Sequence, residues 1–428
     1  VHWQSFYNIS RVYLKQLNYP KALNCLKECI AIDPKNATTF AEIAYTYEQI
    51  NNLEQAKNYV EKALCIDAAN VYAQLTLAKC YRREKLYSKS LEILQNIPIA
   101  DQLTHIQSRI YNEQGKLYDC MERYDDAYHA FTDAKKHQQK FQCTLPSTNI
   151  SNAMHLNLKM LRSPAYNRLL LKIKDQNNTG KKIIFVLGFF RSGTTLLEKI
   201  LTTYDDIQSA GELNTLSSIA SEVTKVHLFQ LTEGEQLSWV TENQEAYFRD
   251  AANTGIVLNE SSFFIDKAPF NIIHLPLLHL IFPDALVLRV VRHPLDIALS
   301  CYSELFENRF DWSYKLADTI NLIKAVDDHY DLVISENSDI NCIQIKYEDL
   351  VNDPQVAIDT ILLNLNKKWD ENCLNFYRQT THTYTASYAQ VTKPIYHSSV
   401  ERYKNYYNFF GPDSLRLMSD LLSKHGYE

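Results

Sequence analysis

The chain has 428 residues, a formal net charge of −6 and 46% hydrophobic residues. That length covers two or three domains, and the acidic balance excludes a global basic field for nucleic acid. No apolar run of about 18 residues occurs, so no transmembrane helix is expected.

The first elements in chain order are repeats. Ala-Ile-Asp-Pro-Lys-Asn at 31–36 recurs as Cys-Ile-Asp-Ala-Ala-Asn at 65–70, a shift of 34 residues. The same shift relates Tyr13, Tyr47 and Tyr81, then Ala22, Ala56 and Ser90, then Leu26, Val60 and Leu94, and finally Cys29, Ala63 and Ile97. A less regular fourth unit carries Tyr118, Ala127, Phe131 and Ala134. This spacing of small and aromatic residues resembles the tetratricopeptide repeat, in which paired helices stack into a solenoid. The repeated residues read as core packing without chemistry of their own. The array, residues 1–137, is expected to hold a partner or a substrate, such as a protein or peptide, on its concave face, or else to give structural support or dimerise. Residues 138–180 read as a helical linker that ends in the turn signal Asp-Gln-Asn-Asn-Thr-Gly at 175–180.

A catalytic-type domain is expected over 181–428. Ile183 to Leu187 form an apolar run of strand length, followed by Gly-Phe-Phe-Arg-Ser-Gly-Thr-Thr and a helical segment. Gly188 and Gly193 have the separation of a phosphate-cradling loop. Arg191, Ser192, Gly193, Thr194 and Thr195 lie where a helix N-terminus attracts anions. A nucleoside-triphosphate loop has lysine at the position of Thr194, and this chain does not. Further apolar strands are expected at 285–291 and 340–347, alternating with helices. This pattern predicts a mostly parallel α/β sheet with ligands beyond its strand ends. Arg191, Arg292 and Tyr347 all fall just past such ends. Arg292 and Ser300, eight residues apart across a strand-to-helix junction, suit a second phosphate, because guanidinium grips phosphate as a fork.

The lysine-free loop Phe-Arg-Ser-Gly-Thr-Thr resembles that of the sulfotransferases, and the Gly211-Glu212 pair resembles that of the protein-tyrosine sulfotransferases and their bacterial repeat-fused relatives. The resemblance implies 3′-phosphoadenosine 5′-phosphosulfate (PAPS) as donor and 3′-phosphoadenosine 5′-phosphate (PAP) as product. Gly211-Glu212 matches the pair whose carboxylate is the proposed general base. Lys267, in Asp-Lys-Ala-Pro, matches a lysine near the bridging oxygen, and Arg191 would stabilise the sulfuryl oxygens. Arg292 and Ser300 match the 3′-phosphate site. Tyr347, in Tyr-Glu-Asp-Leu, and Arg402, in the segment 390–406, match residues at the bound nucleotide, with Ser387 and Lys404 as helpers. The chain departs from its relatives at Glu401, where they often have Gly, and at Tyr403, where they often have Trp.

The resemblance thus implies sulfuryl transfer to a hydroxyl acceptor: a peptide tyrosine, a glycan or a small molecule. A non-catalytic nucleotide-binding repeat scaffold is the alternative. It should lack a catalytic position, yet Arg191, Glu212, Lys267, Arg292 and Ser300 are all retained. A nucleotide kinase should show the missing loop lysine. The nine cysteines include no Cys-x-x-Cys pair, and no Asp-rich motif is evident, so no metal site is expected. Cys25, Cys29, Cys65 and Cys80 occupy helix-packing positions, which suggests reduced thiols and a cytoplasmic compartment. The chain opens at Val1 without an initiator Met, so the lack of a signal-like segment carries no weight.

Overall fold

A computed structural model describes residues 2–427 except 16–17, 142–146, 177–181, 258–261, 307–309 and 379–390. Ser387 lies outside the described residues. The chain divides into two compact units.

The first unit comprises Val1–Thr144 with Ser303–Arg309 and Tyr384–Thr392. Its helices pair in succession: α1 (Trp3–Lys15) with α2 (Tyr19–Ile32), α3 (Ala37–Gln49) with α4 (Leu53–Ile66), α5 (Val71–Arg83) with α6 (Tyr87–Asn96), and α7 (Thr104–Cys120) with α8 (Tyr124–Phe141). The period of 34 is visible in the helix starts. Asn18, Asn36, Asn52 and Asn70 each accept a backbone N–H from three residues on, at 3.2, 3.0, 3.1 and 3.1 Å. Such caps satisfy N–H groups that a helix leaves unpaired. Ala22, Ala56 and Ser90 are fully buried, and the Ser90 hydroxyl donates to the Ala78 carbonyl at 2.8 Å. In the fourth pair, a Cβ on Gly115 would lie 2.5 Å from the Phe131 ring. Within this unit, side chains of α7 and α8 hold the backbone of Ser303–Phe306. Asn112 donates to the Ser303 carbonyl at 2.8 Å and Gln138 to that of Phe306 at 2.9 Å, while Lys116 pairs with Glu304 at 2.9 Å.

The second unit comprises Leu145–Tyr302, Phe310–Thr383 and Lys393–Glu428. It opens with α9 (Thr148–Leu161) and α10 (Pro164–Gln176), most of the expected linker. These helices pack into the unit: the fully buried Tyr166 donates to the Pro276 carbonyl at 3.0 Å. The sheet has five parallel strands in the order β2 (Ile207–Ser209), β3 (Phe263–Asp266), β1 (Ile183–Gly188), β4 (Leu286–Val291) and β5 (Cys342–Lys346). β1 and β4 are buried along their whole length, as expected of a parallel sheet covered on both faces. The covering helices are α11 (Thr194–Leu201), α12 (Thr215–Val226), α13 (Glu233–Asn253), α14 (Leu275–Ile281), α15 (Pro294–Tyr302), α16 (Leu316–Glu336), α17 (Tyr347–Asn352), α18 (Pro354–Asn364) and α19 (Pro412–Lys424). All strands run the same way, so the residues following them gather at one edge. No helix among the described residues is long and apolar enough to cross a membrane.

Candidate active site

β1 ends at Gly188 and the chain turns through Phe189–Gly193 into α11. Arg191 is held at φ +66°, an uncommon conformation for a side chain of its size. The ring of Phe190 stacks on Phe270 at 4.7 Å and on Trp312 at 5.8 Å, which fixes the loop beside Arg191. Gly193 caps α11 at φ +105°, and the Tyr347 ring fills the space where its side chain would stand. Ser192, Thr194 and Thr195 are buried at this helix start. The Ser192 hydroxyl oxygen has no hydrogen-bond partner in the structure. A buried, unsatisfied hydroxyl in a glycine-bounded loop suits an anion that accepts from it.

Arg292 follows β4. Its Nη1 donates to the Arg191 carbonyl at 3.1 Å, and its Nη2 donates to the Ser399 carbonyl. Its guanidinium lies 4.6 Å from the centre of the Tyr347 ring. Its Nε is buried without a partner, a second unsatisfied donor at this edge. Ser300, on α15, accepts from Arg191 Nε at 3.0 Å. Arg191, Ser300, Arg292, Tyr347 and Gly193 therefore form one cluster. Two arginines, several hydroxyls and a helix start in such a cluster fit a ligand with more than one phosphate-like group.

Asp296 organises the far side of this cluster. Buried on α15, it accepts the backbone N–H groups of Glu401 at 2.9 Å and Tyr403 at 2.8 Å, and stands 3.8 Å from Arg292 Nη2. Burial pushes its carboxyl above the usual range, against the pull of Arg292 and these two N–H groups. The segment bearing Arg402 is thereby tied to α15. Arg402 itself is half-buried, with its guanidinium 5.7 Å from the centre of the Tyr406 ring. Lys404 is exposed and pairs with Glu401 at 2.7 Å. The ring of His293 stacks on Tyr403 at 4.0 Å. Burial, with Arg292 beside it, lowers the His293 imidazole to about 4.

The second cluster stands at the ends of β2 and β3. Lys267 is almost fully buried, and its Nζ lies 2.5 Å from Glu212 Oε1. Glu212 follows Gly211, whose φ is +73°. Two bonds tie this turn to β3: Lys267 N–H donates to the Gly211 carbonyl at 2.8 Å, and Leu213 N–H to Asp266 Oδ1 at 3.3 Å. Asp266 is fully buried and also accepts from the Tyr247 hydroxyl. Burial pushes its carboxyl up to about 7. Glu198, on α11, stands 3.9 Å from Lys267 and accepts from the Ser209 hydroxyl. Glu198, Ser209, Asp266, Tyr247 and Asp296 are absent from the sequence-level candidates.

Comparisons with known proteins agree with this architecture. Residues 184–371 match the model of the Sulfotransferase family, and residues 3–36 and 51–108 match tetratricopeptide-repeat models. The chain thus joins tetratricopeptide repeats to a sulfotransferase domain. An uncharacterized protein of Aquifex aeolicus (strain VF5) is 24% identical over 94% of this chain, which spans only 53% of that relative. A putative protein-tyrosine sulfotransferase of Caenorhabditis briggsae is 23% identical over 58% of this chain and 90% of its own length. Among solved structures, a sulfotransferase domain from the curacin biosynthetic pathway has 20% identity and a TM-score of 0.41, covering 58% of this chain and 98% of that one.

Proposed function

We propose that the second unit transfers a sulfuryl group from PAPS to a hydroxyl acceptor, with Glu212 as general base. The observation that carries this reading is the buried Lys267 paired at 2.5 Å with Glu212, a carboxylate whose side chain remains 46% exposed. A base must reach its acceptor, and a charge that steadies a leaving group works best away from water. The residues at the strand ends fit the donor. Arg191, Ser192, Gly193, Thr194 and Thr195 hold the 5′-phosphosulfate. Arg292 and Ser300 hold the 3′-phosphate, and Tyr347 and Arg402 complete the nucleotide site.

The transfer balances as follows. The acceptor oxygen forms a bond to sulfur while the bond from sulfur to the bridging oxygen breaks. The electron pair of that bond stays on the 5′-phosphate, and the acceptor proton passes to Glu212. The products are a sulfate ester and PAP. Lys267 neutralises charge on the departing oxygen, and Arg191 steadies the sulfuryl oxygens. A peptide tyrosine is the acceptor class favoured by the Glu-type base and by the repeat array, which offers a surface for a protein or peptide. Glycans and small hydroxyl compounds are the competing acceptors in a screen.

Calorimetric binding of PAP against ADP tests the donor assignment. Wild type should prefer PAP, and Arg292→Ala should abolish that preference. Equal affinity for the two nucleotides, or no binding of either, would sink the reading. Glu212→Ala should keep PAP affinity and lose turnover; full turnover in this variant would remove Glu212 from the mechanism.

A further inference from the structure

Lys267 has two carboxylates within reach, and the mechanism above uses one. Glu212 Oε1 lies at 2.5 Å and Glu198 Oε2 at 3.9 Å. The two acids differ in setting: the Glu198 side chain is 8% exposed, whereas that of Glu212 is 46% exposed. Glu198 spends its other oxygen on the Ser209 hydroxyl, and Ser209 Oγ in turn accepts Gly211 N–H at 3.0 Å. One carboxylate therefore faces the lysine across 3.9 Å and reaches the Glu212 turn through a single hydroxyl. It does so from α11, the helix whose first turn carries Thr194 and Thr195.

We propose that Glu198 is a positioning residue that serves as the standing counter-ion of Lys267, holding it as an ammonium when Glu212 takes up the acceptor proton. The inference rests on the reading of Glu212 as base. Once that proton has moved, Glu212 is neutral and its ion pair is gone. A buried ammonium without a counter-ion loses its proton or leaves its place. Lys267 has to enter the transfer as an ammonium, so that it can meet the charge that then builds on the departing phosphate oxygen, and Glu198 is the carboxylate that keeps it so while Glu212 gives up its own charge.

The other ionisable neighbours do not supply this function. Asp266 is next in sequence and fully buried, but its oxygens are committed to the Tyr247 hydroxyl and to Leu213 N–H. Burial also favours its neutral form, with Tyr247, the adjacent Lys267 and Glu212 as its charged or ionisable surroundings. Lys199, beside Glu198 on α11, is pushed down by burial, a loss that the Glu198 charge opposes and the Lys267 charge reinforces. Among the described residues, Glu198 is the buried carboxylate with an oxygen facing the Lys267 ammonium.

Glu212→Gln reproduces the neutral base, so the test requires neither an acceptor nor turnover. The ζ-nitrogen chemical shift of Lys267, read by NMR near neutral pH, separates ammonium from free amine. Wild type, Glu212→Gln and Glu198→Gln should each show ammonium, because one carboxylate remains in every case. The double variant Glu198→Gln/Glu212→Gln should show free amine and lose at least tenfold in PAP affinity relative to Glu212→Gln. Glu198→Asp combined with Glu212→Gln should restore the ammonium, which also separates lost charge from lost folding. Ammonium persisting in the folded double variant overturns the proposal. PAP binding on the same samples tests the underlying reading separately, and failure of wild type to bind PAP would overturn both.

Discussion

The ring of Tyr347 stands where a side chain on Gly193 would have to go: a Cβ there would lie 2.3 Å from the ring. Tyr347 opens the helix after β5, and Gly193 closes the loop after β1. Two strand ends separated by β4 thus lock the loop that presents Ser192 and Thr194. Gly193→Ala should therefore fail for two reasons. Its φ of +105° strains any residue with a Cβ, at a cost of about 1–3 kcal/mol. Overpacking against the ring adds about 1–3 kcal/mol. The expected outcome is a lower melting temperature and PAP binding weakened at least tenfold. Adding Tyr347→Ala should recover only the packing share, which a double-mutant cycle measures. Full recovery in the double variant would show that the backbone conformation does not matter.

Asp296 predicts a separable effect on the segment carrying Arg402. Its carboxylate accepts from Glu401 N–H and Tyr403 N–H. Hydrogen bonds to a charged group contribute roughly 1.5–3 kcal/mol each. Asp296→Asn should speed amide exchange at Glu401 and Tyr403 and weaken PAP binding by an order of magnitude. Exchange at those two amides equal to that of wild type would show that Asp296 does not hold the segment.

Which of these residues the sequence could reveal follows from how far their partners lie along the chain. The loop after β1 was legible because strand, turn and helix start occupy one continuous stretch, and the repeats were legible because buried small residues recur at a fixed shift. β2 and β3 were missed as strands because three and four residues are too few to show a period. Glu198 gives no local signal: in Thr-Thr-Leu-Leu-Glu-Lys-Ile-Leu it reads as a solvated helix acid. Its burial depends on Lys267, whose place is set by β3. Asp296 was hidden in the same way, because its partners at 401 and 403 arrive from the far end of the chain.

Gly115 tests the packing of the fourth helix pair independently of the active site. A Cβ added at Gly115 would lie 2.5 Å from the Phe131 ring. Gly115→Val should destabilise the first unit by about 1–3 kcal/mol through overpacking, while PAP binding by the second unit persists. A variant with unchanged thermal stability would mean that the α7–α8 pair opens at little cost.

Asp327 should make the second unit sensitive to acid. On α16 it meets Arg289 of β4 and His425, which lies at 2.9 Å just after α19, with Lys424 beside it. Burial alone would push this carboxyl up, but the His425 hydrogen bond, the Arg289 charge and Lys424 together hold it far below the usual range. The folded value is thus depressed relative to the unfolded one, about 3.9. The associated stability is fully present above the unfolded value and drains away as pH falls through about 4 towards the folded value. Asp327→Asn leaves the buried Arg289 with Gln344 and the Tyr330 ring but no counter-charge, and should cost roughly 3–5 kcal/mol near neutral pH. The gap between wild type and variant should narrow steadily below about pH 4. Urea unfolding followed through Trp239, Trp312 and Trp369, all in the second unit, measures both quantities. A gap that stays constant from neutral pH into acid would show that the ion pair does not set the acid limit of this domain.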